Sequence, residues 1–374
     1  FCKGKTFYCY NTGLLLCAGM SDIKKIQDGQ ALSRREQLVL AVKLAMPAIL
    51  AQLSSIMMQY IDASMVGRLG TDPSASVGLM SSSLWLFWGV CSMVTMGFSV
   101  QVAHCLGAKE FAKARSVLRQ GLVSVLVFSV FMALLGVAIA PGLPHWLGGK
   151  AEITADATLY FTIFVAALPI LTLNYICGGM LRSAGQMKIP SMLNVLMCVL
   201  DVVFNFFLIF PARQLDIAGM QFTVPGAGLG VLGAALGTVL AEVIVALLMF
   251  RYLCWRQEEL NIARYARESF LPTKAVLKKA LRISLPMTLE HAIFCGAQIM
   301  ITVIVAPLGA VAIAANAFAV TAESLCYMPG FGIGDAATTL VGQSYGAHRF
   351  GLVRSFAHIS VGMGMAIMTI MAVV

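Results

Sequence analysis

Six carboxylates stand where an apolar chain rarely keeps them. Asp62, Asp201, Glu242, Glu290, Glu323 and Asp335 lie within or at the edges of long hydrophobic stretches. An acid at mid-membrane costs about 2.5–3.5 kcal/mol on insertion scales, so it persists only against a partner or a wet cavity. Burial disfavours the charged form, so such a group takes up a proton or a cation readily. Asp201 has the richest surroundings. Asn205 is four residues on and Asn194 seven before, which places three oxygen-bearing side chains on one helix face. That set suits a small hard cation or a proton relay; helix–helix hydrogen bonding would use the same residues. Asp62 is followed by Arg68, so it serves either a cation site or a local salt bridge. Glu290 and His291 follow Pro286 by one turn and suit protonation or substrate work, or simply local packing. Thr238 is either a ligand or a small residue at a helix crossing.

These residues need elements long enough to cross a bilayer. The chain has 374 residues, 59% hydrophobic and 11% charged, a balance that excludes an ordinary soluble domain. Nine apolar stretches read as spans: 41–67, 78–104, 117–140, 153–178, 189–211, 227–250, 280–306, 310–337 and 352–374. Pro47, Pro169, Pro286 and Pro329 fall inside them as interruptions, and Pro225-Gly226 opens the sixth.

The chain also repeats itself. A shift of 239 residues lays Pro47 on Pro286, Gln59 on Gln298 and Leu69-Gly70 on Leu308-Gly309. In the same register Gly107-Ala108 falls on Gly346-Ala347, Phe111 on Phe350 and Arg115-Ser116 on Arg354-Ser355. The repeat does not pair the acids: Asp62 falls on Ile301 and Glu290 on Ala51. Six spans per copy give both copies the same orientation, hence two parallel lobes related by an axis along the membrane normal. The expected architecture is an all-α polytopic membrane protein with nine of twelve spans present. Residues 37–250 form a first lobe, 251–279 a basic cytoplasmic linker, and 280–374 part of a second lobe. The register predicts that the second lobe continues for roughly 115 residues past Val374. Residues 1–36 precede the lobes; 1–19 match nothing downstream and read as lying upstream of a true start at Met20.

The net charge of +9 is a topology signal. Outside residues 1–19 and Lys43, 20 Lys and Arg fall at alternate ends of the spans, from Lys24 to Arg354. The opposite loops hold only Arg68, Lys150 and Arg213. This asymmetry predicts a cytoplasmic N-terminus in a plasma or inner membrane, and makes nucleic acid an unsuitable partner. The ten cysteines have neither metal nor disulfide spacing and read as small packing residues. No nucleophile or metal set such as His-Glu-x-x-His suggests an enzyme. Twenty-two methionines would give a cavity soft walls, or simply reflect membrane composition.

Met46-Pro47, Gln52, Asp62, Met65-Val66-Gly67 and Leu69-Gly70 resemble the first helix of the multidrug and toxic compound extrusion (MATE) family. Gln101, Gly107-Ala108, Ala114-Arg115 and Arg119-Gln120-Gly121 are similar to its signature after helix two. Arg182 to Pro190, then Asp201, Asn205 and Leu208-Ile209-Phe210, resemble its helix-five region. Gly230, Gly233-Ala234-Ala235 and Thr238 resemble helix six. Pro286, Glu290, Gly342-Gln343 and Gly346-Ala347 repeat the pattern. The resemblance implies twelve helices in two lobes, and export of small organic cations by a monomer in exchange for Na⁺ or H⁺, with no cofactor. It assigns Asp62, Asp201, Asn205 and Thr238 to a cation site in the first lobe and Glu290 to the second. In this chain the helix-five pair runs Asp then Asn, the reverse of some members. Pro47, Gln52 and Pro286 would shape the cavity, and a helix-ten acid would lie past Val374. The runner-up is a lipid-linked oligosaccharide or lipid flippase of the same superfamily. Such proteins line a larger cavity with several arginines, whereas Arg182 is here the one span-adjacent basic residue outside clear loops.

Overall fold

The computed structural model describes residues 23–217, 220–257, 259–262 and 270–373. The expectation for residues 1–19, and the charges of the linker at Glu258, Arg264 and Arg267, fall outside the described residues. Ten long helices follow a short helix at 23–27: α1 (Arg34–Gly67), α2 (Thr71–Gly107), α3 (Phe111–Ile139), α4 (Ala151–Ala166), α5 (Leu168–Ser183), α6 (Lys188–Leu208), α7 (Val231–Trp255), α8 (Lys274–Val305), α9 (Ala310–Gly346) and α10 (Phe350–Val373). Eight are long and apolar enough to cross a membrane singly. α4 and α5 make a ninth span, bent by 45°. The bend falls at Ala167–Pro169, where proline lacks the N–H that would continue the ladder. The protein is thus an all-α polytopic membrane protein, with helices that outrun their apolar cores by a turn or two.

Local chemistry sets the helix ends. Ser33 opens α1 with a capping box: the Glu36 amide donates to Ser33 Oγ at 3.3 Å and the Ser33 amide to Glu36 Oε2 at 2.8 Å. Pro47, Pro286 and Pro329 do not break their helices; each lies inside a continuous one. Pro225 and Gly226 also depart from expectation. They belong not to a span but to a hairpin of β1 (Pro211–Ile217) and β2 (Met220–Ala227), paired from Pro211↔Ala227 to Ile217↔Met220. Gly226 is required there, since a Cβ would overlap the Phe210 carbonyl.

The repeat is built into the backbone. α2 and α9 are each 37 residues long, and the shift of 239 carries both ends of one onto both ends of the other. Each is preceded by a glycine at positive φ: Gly70 at 128° and Gly309 at 104°. Among the described residues the two non-glycine positions with positive φ, Lys109 (59°) and His348 (57°), are also mates in the repeat. They close the turns before α3 and α10.

α2 and α9 also pack against each other through mates. A Cβ on Gly78 would stand 2.8 Å from Ala317 Cβ, and one on Gly342 would stand 2.8 Å from Ala103 Cβ. A Cβ on Gly107 would overlap the Gln343 carbonyl, and one on Gly346 the His104 carbonyl. Residues touching their own repeat mates must lie beside a two-fold axis, which therefore runs between the two parallel helices.

Three large apolar clusters fill most of the interior, beside two small ones near α6 and α7. One joins α2, α3, α5 and α7 through Phe98, Leu118, Ile176 and Leu253. A second joins the opposite end of α2 to α4 through Leu79, Phe87 and Phe161. A third seats Ile23 and Ile26 between α1, α9 and α10 with Leu44, Leu340 and Phe356.

Candidate functional site

Thirty-four residues of α1 carry Asp62 to within five residues of the helix end. α6 carries Asp201 and Asn205 one turn apart, both fully buried. Asn205 Nδ2 donates to Asp62 Oδ1 at 2.8 Å and to Asp201 Oδ2 at 3.2 Å. One amide therefore ties together two carboxylates from two helices. Asp62 has this partner rather than Arg68, which is exposed and makes no ion pair with it among the described residues. Thr238 of α7 donates its hydroxyl to the Ala234 carbonyl at 3.2 Å and lies against Asp201.

The third helix reaches the site because α7 is small-sided where it meets α6. A Cβ on Gly237 would overlap Asn205 Oδ1, and one on Gly233 would stand 2.5 Å from the Leu208 carbonyl. Glycines four apart let two backbones approach this closely. Gly237 thus stands at the candidate site, although its residue type alone does not mark it. The Gly233/Gly237 spacing was the available signal.

The donor set fits a small cation. Asp201 Oδ1 and Asn205 Oδ1 are both buried and, among the described residues, without a hydrogen-bond partner. Buried acceptors left open cost about 1–3 kcal/mol each, and a bound cation satisfies them. Oxygen ligands suit a hard ion, and two carboxylates without a basic partner suit a positive one. Among the described residues no group of three or more His, Cys, Asp or Glu forms a metal cluster of another kind.

Other expected residues lie apart. Asn194 shares α6 but is only half-buried, with no hydrogen bond at its side chain among the described residues. Gln52 is half-buried on α1. Pro47 sits one residue before the Ala48–Ile49 backbone on which α9 closes at Gly332, where a Cβ would lie 2.8 Å from Ile49 N. Pro286 is exposed on α8. Glu290 and His291 diverge: Glu290 is exposed, while His291 turns onto α2. Its Nε2 is 3.2 Å from the Trp85 carbonyl and 3.2 Å from Cys295 Sγ, over a notch left by Gly89.

Two further polar contacts were not foreseen as sites. Asn174 Nδ2 of α5 donates to Glu242 Oε2 of α7 at 2.8 Å. Arg182 of α5 pairs with Asp335 of α9 at 3.4 Å, both side chains largely buried. Around that pair, Thr339 Oγ1 donates to the Arg182 carbonyl at 2.9 Å and Gln343 Nε2 to the Ser183 carbonyl at 2.7 Å. The Arg182 guanidinium stands over the Tyr175 ring at 5.6 Å.

A bundle of membrane-crossing helices, built on a parallel repeat with buried oxygen donors clustered in its first copy, defines a repeat-built polytopic membrane protein. The MatE family model matches residues 47–207 and 286–374, two stretches that begin on the repeat mates Pro47 and Pro286. Together they exceed half of the chain, and the chain belongs to the MatE family.

A probable multidrug resistance protein NorM of Thermotoga maritima is 26% identical over 324 residues. That match covers 84% of this chain and 65% of the relative, so the chain spans just under two thirds of that relative's length. A multidrug export protein MepA of Staphylococcus saprophyticus is 24% identical over 275 residues, 72% of this chain and 56% of that protein. Among solved structures, an outward-facing multidrug resistance MATE family transporter superposes with a TM-score of 0.77 at 21% identity, covering 92% of this chain and 72% of its own. A MOP superfamily transporter from Pyrococcus furiosus does so at 0.77 and 21%, covering 93% and 72%. These structural likenesses establish the fold.

Proposed function

We propose that this chain works in a multidrug efflux transporter of the plasma membrane, exporting small organic cations in exchange for inward Na⁺ or H⁺. The observation that carries the reading is the bridge from Asn205 to both Asp62 and Asp201, with two open buried oxygens beside it and, among the described residues, no basic partner. Asp62, Asp201, Asn205 and Thr238 would hold the coupling ion. Binding there draws α1, α6 and α7 together. Releasing it restores repulsion between two neighbouring carboxylates, a change large enough to bias a conformational equilibrium. The curated relatives named for multidrug resistance and export support the same activity. Engagement of Arg182 with Asp335 favours drug efflux over flipping of an anionic lipid, for which a free basic wall would serve.

The deciding experiment is efflux of a fluorescent cationic dye from proteoliposomes, with Na⁺ and pH gradients imposed one at a time. Acceleration by either gradient, lost in Asp201→Asn, supports the reading and names the ion. Efflux indifferent to both gradients overturns it. The Lys/Arg asymmetry adds an orientation: His145→Cys reacts with an impermeant thiol reagent from outside the cell, and Tyr265→Cys does not.

A further inference from the structure

We propose that Glu242 and Asn174 form a second station for a small monovalent cation, one helical turn along α7 from the Asp62–Asp201–Asn205 site. Glu242 is four residues beyond Thr238, so the two share a face of α7 and stand about 6 Å apart along its axis. Asn174 approaches from α5 and is 9% exposed. Its Nδ2 donates to Glu242 Oε2 at 2.8 Å, while its own Oδ1 is buried with no partner among the described residues. A half-turn of that amide brings Oδ1 beside the carboxylate and makes a two-oxygen cradle. No basic side chain pairs with Glu242 among the described residues. Asp201 of α6, another acid, lies within electrostatic reach of it. A carboxylate within a span, held by a neutral amide and within electrostatic reach of a second acid, lacks its counter-charge. A sodium ion or a proton supplies it. The spacing makes Glu242 the step between the first site and the Trp255 end of α7, so the first lobe holds a two-step cation path.

This extends the antiport reading, but binding tests it independently of transport. The chain, purified in nanodiscs, is titrated with radioactive Na⁺ at alkaline pH, and its proton uptake is counted in Na⁺-free buffer. Glu242→Gln keeps the shape and the hydrogen bond to Asn174 while removing the charge, so a merely structural role would leave every count unchanged. The station predicts that Glu242→Gln lowers the ions bound per chain by about one, in the sodium arm or in the proton arm. Asp201→Asn leaves that ion in place. Asn174→Ala weakens it by about tenfold or more, the usual effect of losing an orienting partner. Equal counts for Glu242→Gln and wild type in both arms overturn the proposal. Should Glu242→Gln not fold, unchanged affinity in Asn174→Ala overturns it as well. Loss of gradient-driven efflux with two-ion binding intact would instead count against the antiport reading alone.

Discussion

α1 and α8 are repeat mates that share a proline and little else of their chemistry. α1 sends Asp62 into a buried site, where Asn205 holds it. α8 places Ile301 at the mate of Asp62, exposes Glu290, and folds His291 back onto the Trp85 carbonyl. The backbones of α2 and α9 coincide end to end, and the left-handed Lys109 and His348 fall on each other as well. The lesson is that backbone geometry was fixed twice and side-chain chemistry was placed separately in each copy. Helix caps and close approaches constrain folding in both copies. A buried acid constrains function only where a neighbouring helix brings it a partner.

The largest effects test the shared part. Gly107→Val and Gly346→Val should each cost about 3 kcal/mol or more, because the new side chain must displace backbone carbonyls of the partner helix. Gly351→Val and Gly362→Val, at positions with open space, should stay within about 1 kcal/mol of the helix-propensity change. Thermal unfolding in detergent measures all four, and a large inequality between the two mates would break the equivalence of the copies.

The next effects test the difference. Asp201→Asn and Asp62→Asn should abolish gradient-driven efflux with insertion intact, whereas Glu290→Gln should retain a measurable part of it. Loss in Glu290→Gln alone would reverse the assignment of the coupling acid. Gly237→Ala adds one methyl group over Asn205 and should weaken ion binding by about 10–100-fold, as disturbance of an orienting contact does. Isothermal titration with Na⁺ reads that change. Asp335→Asn should destabilise by about 1–3 kcal/mol by leaving Arg182 without its counter-charge in a largely buried place. The reversed pair, Arg182→Asp with Asp335→Arg, should recover part of it. At the bottom of the scale, Lys113→Ala breaks an exposed pair with Glu110 and should change stability by less than about 0.5 kcal/mol.

Much of this was legible in residues whose meaning is local. The 239-residue register was readable from glycine and proline, because such residues mark caps and turns wherever they occur. The Asp201/Asn205 face was readable because four-residue spacing fixes direction on a helix. Asp62 could be placed in the site only through resemblance, since nothing in its neighbourhood says which helix it will meet. The hairpin at 211–227 stayed hidden: Pro225-Gly226 reads equally well as a helix start, and pairing with 211–217 is a long-range choice. The Asn174–Glu242 contact joins residues 68 apart. Asn194 shows the converse: it shares Asp201's periodicity but is only half-buried, since shared periodicity does not ensure that a partner helix covers the same stretch.

The parallel seam between α2 and α9 has a mechanical consequence. The helices meet near one end at Gly78 and Ala317, and near the other at Ala103 and Gly342, each residue against its own mate. About 25 residues separate the two meeting points, a lever of about 38 Å. Tilting the helices about one point by about 10° parts them at the other by about 6–7 Å, the scale of a small aromatic ring. The seam thus has two equivalent points of close packing, and a methyl group added at Gly78 or Gly342 would wedge the helices apart at that end.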